Sequence, residues 1–277
     1  MFQNDLLRDK TILITGGGTG LGKSMGRRVL ELGARLVICG RREAVLEETR
    51  AEFEADFPGR TRALPCDLRD AVRVEALVDT IWDEGSLDAL VNNAAGNFLA
   101  RSESLSPRAL DAILAIVMHG TAYVTLACGK RWLAEQHPGN VLSIIATYAE
   151  TGSPYVVPSA MATAGVLAMA RSLAGEWGGR GIRLNAIAPG PFPTEGAWQR
   201  LVPNEEMDRA WMNKIPLGRV GEHRELADLA AFLLAEGSAY INGEVVTIDG
   251  GEWLKGAGQF SLMESRGEAD WAAMKKR

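Results

Sequence analysis

Residues 15–22 read Thr-Gly-Gly-Gly-Thr-Gly-Leu-Gly, a spacing of glycines that lets a chain turn tightly and brings backbone N–H groups close to an anionic oxygen. A glycine run alone also serves as a plain loop, so its setting decides the reading. The residues before it, Thr11 to Thr15, are strand-like, and those after it, Leu21 to Leu32, are apolar at helical spacing and stop at Gly33. A glycine turn opening a helix places partial positive charge and free amides at one point. The chemistry expected there is pyrophosphate binding, with Gly16, Gly18, Thr19, Gly20, Leu21 and Gly22 forming the cradle.

A second charge feature follows. The next strand, Arg35 to Cys39, runs into Gly40-Arg41-Arg42. A dinucleotide site that takes the unphosphorylated ribose places a carboxylate at this point, whereas a 2′-phosphate needs cations. Two guanidinium groups and no carboxylate select the phosphate, which Arg can bind through two hydrogen bonds. NADPH is therefore the expected cofactor. The alternative is that Arg41 and Arg42 merely flank a helix start, where their charge would oppose the helix dipole.

Composition sets outer limits. Hydrophobic residues make up 47% of the 277 residues and charged residues 23%, enough to build a large core. A net charge of −5 offers no basic field for nucleic acid, so no nucleic-acid partner is expected. Cys39, Cys66 and Cys128 lie in apolar contexts, and an odd count argues against a disulfide framework and for a reducing compartment. His119, His137 and His223 form no ligand cluster, so no metal is expected. MFQNDLLRDK lacks the pattern of a secretory signal and Lys275-Lys276-Arg277 is not a peroxisomal tripeptide, so a cytoplasmic location is the expectation. Ile113 to Cys128 is the longest apolar stretch; it reads as a buried helix too short to cross a bilayer, and no membrane insertion is expected.

Further elements must position these residues. Glu43 to Phe57 reads as a helix, Thr61 to Leu64 as a strand, Ala71 to Trp82 as a helix and Asp88 to Asn92 as a strand. The alternation continues with a long helix over Pro107 to Gln136, a strand at Asn140 to Ile145, a helix over Pro158 to Trp177 and a strand at Ile182 to Ile187. A helix near Leu226 to Leu234 and a strand at Glu244 to Ile248 complete it. This rhythm implies one α/β domain with a doubly wound parallel sheet of Rossmann type. Two stretches break it, residues 189–215 and the tail 251–277, and both are candidates for covering a substrate.

The glycine turn, Asp67 after the third strand, Asn92-Asn93-Ala94-Ala95-Gly96 after the fourth and Asn185-Ala186-Ile187-Ala188-Pro189-Gly190 in the sixth together resemble the short-chain dehydrogenase/reductase family. The resemblance implies that Asp67 contacts adenine, that Asn93, Ala94 and Gly96 lie beside the cofactor, and that Pro189 and Gly190 flank the nicotinamide. The family's usual Y-x-x-x-K is absent, with Ser159 at the Tyr place and Thr163 at the Lys place. Tyr148 stands upstream instead. The arrangement Tyr148-Ala149-Glu150-Thr151-Gly152-Ser153 followed by Pro158-Ser159-Ala160 resembles the 2,4-dienoyl-CoA reductase branch, as does Asn97-Phe98.

That branch implies reduction of a dienoyl thioester by NADPH, with negative charge developing on the thioester oxygen. By resemblance, Tyr148 and Asn97 would donate to that oxygen, and Ser159 would orient Tyr148 or the nicotinamide. Arg69, Phe98, Ser106 and Arg200 would contact the acyl-CoA, and the assembly would be a homotetramer. Thr163 has no ammonium for the ribose hydroxyls or for a positive field near the phenol, so reduced activity is the expectation. His119, where many members carry Asn, reads as a helix residue outside catalysis. Two rival readings stand beside this one: a dinucleotide-binding protein without catalysis, favoured by the missing Lys, and a carbonyl reductase, disfavoured by the missing Y-x-x-x-K.

Overall fold

The computed structural model describes residues 2–194 and 204–274. Seven strands form one sheet, β1 (Thr11–Thr15), β2 (Arg35–Gly40), β3 (Thr61–Pro65), β4 (Ala89–Asn92), β5 (Gly139–Ile144), β6 (Ile182–Pro189) and β7 (Val245–Ile248). Every pairing is parallel and the order is β3-β2-β1-β4-β5-β6-β7. The chain winds outward in both directions from β1 and β4, so a crevice opens above their C-terminal ends, where such sheets bind ligands.

Side chains alternate between the two faces of each strand. Ile12, Ile14 and Ile38 pack on one face with helices α1 (Gly20–Glu31), α2 (Glu43–Asp56) and the later His223–Leu234 helix. Leu13, Val37 and Leu90 pack on the other with α3 (Ala71–Trp82), α5 (Gly120–Glu135) and α7 (Val157–Trp177). Each fully buried aliphatic side chain contributes about 1.5–3 kcal/mol of transfer free energy, which is why these near-continuous apolar runs settle as sandwiched strands. The doubly wound single domain expected from the alternation is present.

The long helix differs from its sequence reading. α4 (Pro107–Ile113) passes into a π-helical turn, Leu114–His119, before α5 begins. The whole rod, Pro107–Glu135, is 29 residues long, so its length alone would span a bilayer, contrary to the expectation from Ile113 to Cys128. Half of its apolar window is buried inside the fold, as suits a core helix. His119 is exposed at the end of the π turn, its ring 6.2 Å from that of Tyr123.

A short helix, α6 (Tyr148–Thr151), precedes α7; the first irregular stretch holds α8 (Glu205–Met212), and α9 (His223–Leu234) follows it. Beyond β7, α10 (Glu252–Ala257) and α11 (Glu268–Met274) occupy the tail.

Candidate active site

Two hollows meet above the crevice. The first, about 590 Å³, lies over the glycine turn and is bordered by Gly16, Gly18, Thr19, Gly20, Leu21 and the Gly40-Arg41-Arg42 corner. Gly16 has φ +66° and Gly20 φ +53°, a region other residues enter only with strain. A Cβ on Gly22 would fall within 2.5 Å of both the Gly16 carbonyl and the Asn93 side chain, so this helix must start with glycine there to pack under the turn.

The cradle is shaped for an anion. The Thr19 N-cap side chain makes no capping bond and the first turn of α1 holds no acid, leaving its opening amides for a ligand. Arg41 and Arg42 are exposed and form no ion pair or hydrogen bond among the described residues. These are features that a phosphorylated dinucleotide would satisfy.

Asn93 supports the turn from beneath. Its amide donates to the Thr15 carbonyl at 3.0 Å and to the Gly16 carbonyl at 3.3 Å. Thr15 Oγ1 accepts from the backbone amides of Asn93 and Ala94, both at 3.0 Å. Asn93 and Ala94 border the first hollow, while Gly96 lies outside its lining against Ile113.

Asp67 lies between two lining residues, Cys66 and Leu68. Its carboxylate is held in a fork by Arg69, with Nε at 2.9 Å from Oδ1, and this bonding pulls its pKa to about 2. The Arg69 guanidinium, expected to contact the acyl-CoA, is exposed and paired with Asp67 beside the first hollow. Cys66 is raised to about 11 by burial, and Cys39 at the end of β2 is pushed up by burial as well, so both are thiols at neutral pH.

The second hollow, about 990 Å³, opens beyond the C-terminal ends of β5 and β6. Apolar walls come from Ile145, Val156, Phe192, Trp211 and Trp253, and Pro189 and Gly190 line its floor. A Cβ on Gly190 would come within 2.8 Å of Asp249, so glycine is required for β6 to close against β7 there. Residues of both irregular stretches reach this hollow: Trp211, Asn213 and Lys214 from one, Glu252 to Ala257 and Ser261 from the other. Lys255 joins them, with Nζ 2.6 Å from the Asn213 carbonyl and 2.8 Å from Glu264. Burial raises the Glu252 carboxyl above the usual range, a hydrogen bond from Trp211 opposing that shift.

At the edge of this hollow three polar side chains converge. Tyr148, carried into place by the first turn of α6, has its hydroxyl 3.1 Å from Ser159 Oγ, and the Asn97 amide donates to it at 3.2 Å. The Phe98 backbone N–H donates to Asn97 Oδ1 at 2.8 Å, which orients that amide with its NH₂ toward the phenol. If Ser159 also donates, the phenol oxygen accepts twice and its own O–H is left to point into the hollow. Burial raises the Tyr148 pKa, with the Ser159 hydrogen bond opposing, so the phenol remains a donor at neutral pH.

Thr163 is buried one turn below Ser159, and its hydroxyl donates back to the Ser159 carbonyl at 2.8 Å. It belongs to the support of Ser159 and reaches neither hollow. Ser106 and Phe98, both expected at the acyl-CoA, stand outside the lining of the second hollow. Ser106 is the N-cap of α4, its hydroxyl accepting from the Ala109 amide at 3.2 Å, and it does not line the cavity. Phe98 packs with Ile113, Val117 and Ala162, and Leu99 takes the wall position instead. Arg200 lies outside the described residues. The sequence reading missed Thr194, which borders both hollows, and the Trp211 and Trp253 walls; two Trp within or beside irregular segments were the available signal.

Comparison with known proteins decides the family. A family model described as Enoyl-(Acyl carrier protein) reductase matches residues 16–252. A Bacillus subtilis protein named probable 2,4-dienoyl-CoA reductase, (2E)-enoyl-CoA-producing, is 42% identical over 90% of this chain and 98% of its own length. The chain belongs to the short-chain dehydrogenase/reductase family. Another relative, from Caenorhabditis elegans, is named probable 2,4-dienoyl-CoA reductase 3, (3E)-enoyl-CoA-producing, and is 41% identical over 91% of this chain and 83% of its own. A crystal structure of a short chain dehydrogenase from Bacillus anthracis superposes with a TM-score of 0.81 at 41% identity, covering 88% of this chain and 96% of that one. As a short-chain dehydrogenase/reductase, the protein is an oxidoreductase whose similarity to 2,4-dienoyl-CoA reductases extends over most of its length.

Proposed function

We propose that the protein reduces an unsaturated acyl-CoA thioester with NADPH, as a 2,4-dienoyl-CoA reductase. The observation that carries this reading is the Tyr148 hydroxyl at the cavity edge, backed by Asn97 and Ser159 at 3.2 and 3.1 Å.

NADPH, which the glycine turn and the Gly40-Arg41-Arg42 corner would hold, would supply a hydride to the δ-carbon of the conjugated dienoyl group. The electron pair moves through the conjugated system and charge accumulates on the thioester oxygen. Tyr148 donates its O–H to that oxygen, and the second N–H of the Asn97 amide is free to join it. Ser159 orients the phenol. Such preorganised donors act when charge develops, in a place largely shielded from water, and so lower the barrier more than they tighten substrate binding. Protonation of the dienolate at the α-carbon gives a 3-enoyl thioester and at the γ-carbon a 2-enoyl thioester; the α-carbon route is the one proposed.

Arg41 and Arg42 support NADPH over NADH, since both guanidinium groups are exposed and neither forms an ion pair with a carboxylate among the described residues. The apolar walls suit the acyl chain. Trp211, Asn213 and Lys214 on one side and Glu252, Trp253, Lys255 and Ser261 on the other cover it, tied together through Lys255. The test is NADPH oxidation followed at its absorbance band with a 2,4-dienoyl-CoA, a 2-enoyl-CoA and a simple ketone. Turnover greatest with the dienoyl thioester is expected; ketone turnover exceeding it would overturn the reading in favour of a carbonyl reductase.

A further inference from the structure

His223 bridges the two ends of the cofactor crevice. It is the first residue of α9, and its start is held by a capping box in which Glu222 and Glu225 exchange side-chain and backbone bonds. α9 lies along α1, joined by Arg28 to Asp228 at 2.5 Å and by Arg224 to Glu31 at 2.9 Å. That alignment sets His223 opposite Ser24 in the first turns of α1. The ring nitrogen Nδ1 is 2.8 Å from Ser24 Oγ, and Nε2 is 2.7 Å from the Pro193 carbonyl. Because a carbonyl only accepts, Nε2 carries a proton, while the Ser24 hydroxyl, also 3.1 Å from the Gly20 carbonyl of the phosphate turn, has one hydrogen to share between that carbonyl and Nδ1.

Pro189, Pro191 and Pro193 alternate in the loop it reaches, and none has an N–H to give. The Gly190 amide donates to the Ile248 carbonyl at 2.9 Å and Phe192 is buried in the core, which leaves the segment after Phe192 to be held through its carbonyls. The Gly221 amide donates to the Pro191 carbonyl at 3.0 Å, and His223 takes Pro193. The next residue is Thr194, which borders both hollows and lies close over the phosphate turn, 3.2 Å from where a Cβ on Gly20 would be.

We propose that His223 is a positioning residue that fixes Thr194 over the pyrophosphate turn, so that the dinucleotide is retained with its reactive end at the Tyr148 cavity. This rests on the dinucleotide reading given above. His223 touches neither hollow itself and acts only through Pro193 and Ser24.

The experiment is titration of the purified protein with NADPH, followed by tryptophan fluorescence or calorimetry, alongside thermal unfolding without cofactor. His223→Ala is expected to raise the NADPH Kd about tenfold, the value of one lost hydrogen bond. His223→Gln, whose amide can donate to Pro193 and accept from Ser24, is expected to restore most of it. Ser24→Ala removes a single hydroxyl, leaves the fold intact and is expected to weaken binding in the same direction. A folded His223→Ala or Ser24→Ala protein that binds NADPH as tightly as the unaltered one overturns the proposal. So does a glutamine variant no better than alanine, which reduces His223 to packing. Failure of the unaltered protein to bind NADPH overturns the cofactor reading itself, and this proposal with it.

Discussion

The Thr163 hydroxyl donates to the Ser159 carbonyl, 2.8 Å away and one turn back along α7. The side chain that could have carried a cation toward Tyr148 is instead folded onto its own helix. Among the described residues no ammonium bonds to the phenol, and burial raises the Tyr148 pKa. The phenol is thereby kept in the state that donates a hydrogen bond, which is the state a developing thioester oxyanion requires.

A pH dependence follows with a definite sign. The active form of Tyr148 is protonated, and its pKa in the fold lies above the ordinary tyrosine value of about 10. Reduction is therefore expected to hold through neutral and mildly alkaline pH and to fall only as pH rises past about 10. Thr163→Lys introduces a positive charge that favours phenolate, and the alkaline limb of kcat/KM should move down by about one pH unit or more. An unchanged limb in a folded Thr163→Lys protein would show that Tyr148 is not the titrating donor.

Tyr148→Phe removes the donor and keeps the ring. With Asn97 left alone at the oxygen, kcat for dienoyl-CoA should drop about 10²–10³-fold, with NADPH affinity unchanged. Steady-state kinetics and a cofactor titration on the same preparation check both halves.

Selectivity for the phosphorylated cofactor should reside in the exposed corner after β2. Replacing Arg41 and Arg42 together by Ala is expected to lower the NADPH-to-NADH preference about 10–100-fold, as for lost charged hydrogen bonds. Ratios of kcat/KM for the two cofactors measure it, and a preference that survives the double substitution would move the 2′-phosphate contact elsewhere.

Ser106 offers a test between a capping role and a substrate contact. As the N-cap of α4 it should cost about 1 kcal/mol of stability when changed to Ala, seen as a lower Tm, while the KM for acyl-CoA stays the same. A raised KM at unchanged Tm would restore it as a substrate contact.

The sheet was legible because its signals are local. β-branched runs ending at glycines marked β1 to β6 within about two residues, and the glycine turn announced its own chemistry. The Tyr148, Ser159 and Asn97 grouping was legible through resemblance, and the distances bear out its proximity. The local partners of Arg69 and Ser106, Asp67 and the Ala109 amide, lie two and three residues away and were not part of the reading by resemblance. His223 could not be read at all: its partner Ser24 is 199 residues distant, and only the packing of α9 on α1 joins them. The two covering stretches concealed helices because α8 and α10 are only 8 and 6 residues long, too short for a repeat to show over a window of about 11–18 residues.

The π turn at Leu114–His119 makes one further demand. A π turn accommodates a residue that an α-helix of the same rise would not hold. Deleting a single residue there would let the rod wind regularly, and everything before it would rotate by about 100° relative to α5. Ile113 would swing off Ala162 and Phe98, and Asn97 would lose the backing that keeps its amide aimed at the phenol. Length at this one place is thus a constraint as strict as residue identity, and a shortened chain should fold its sheet and yet lack its chemistry.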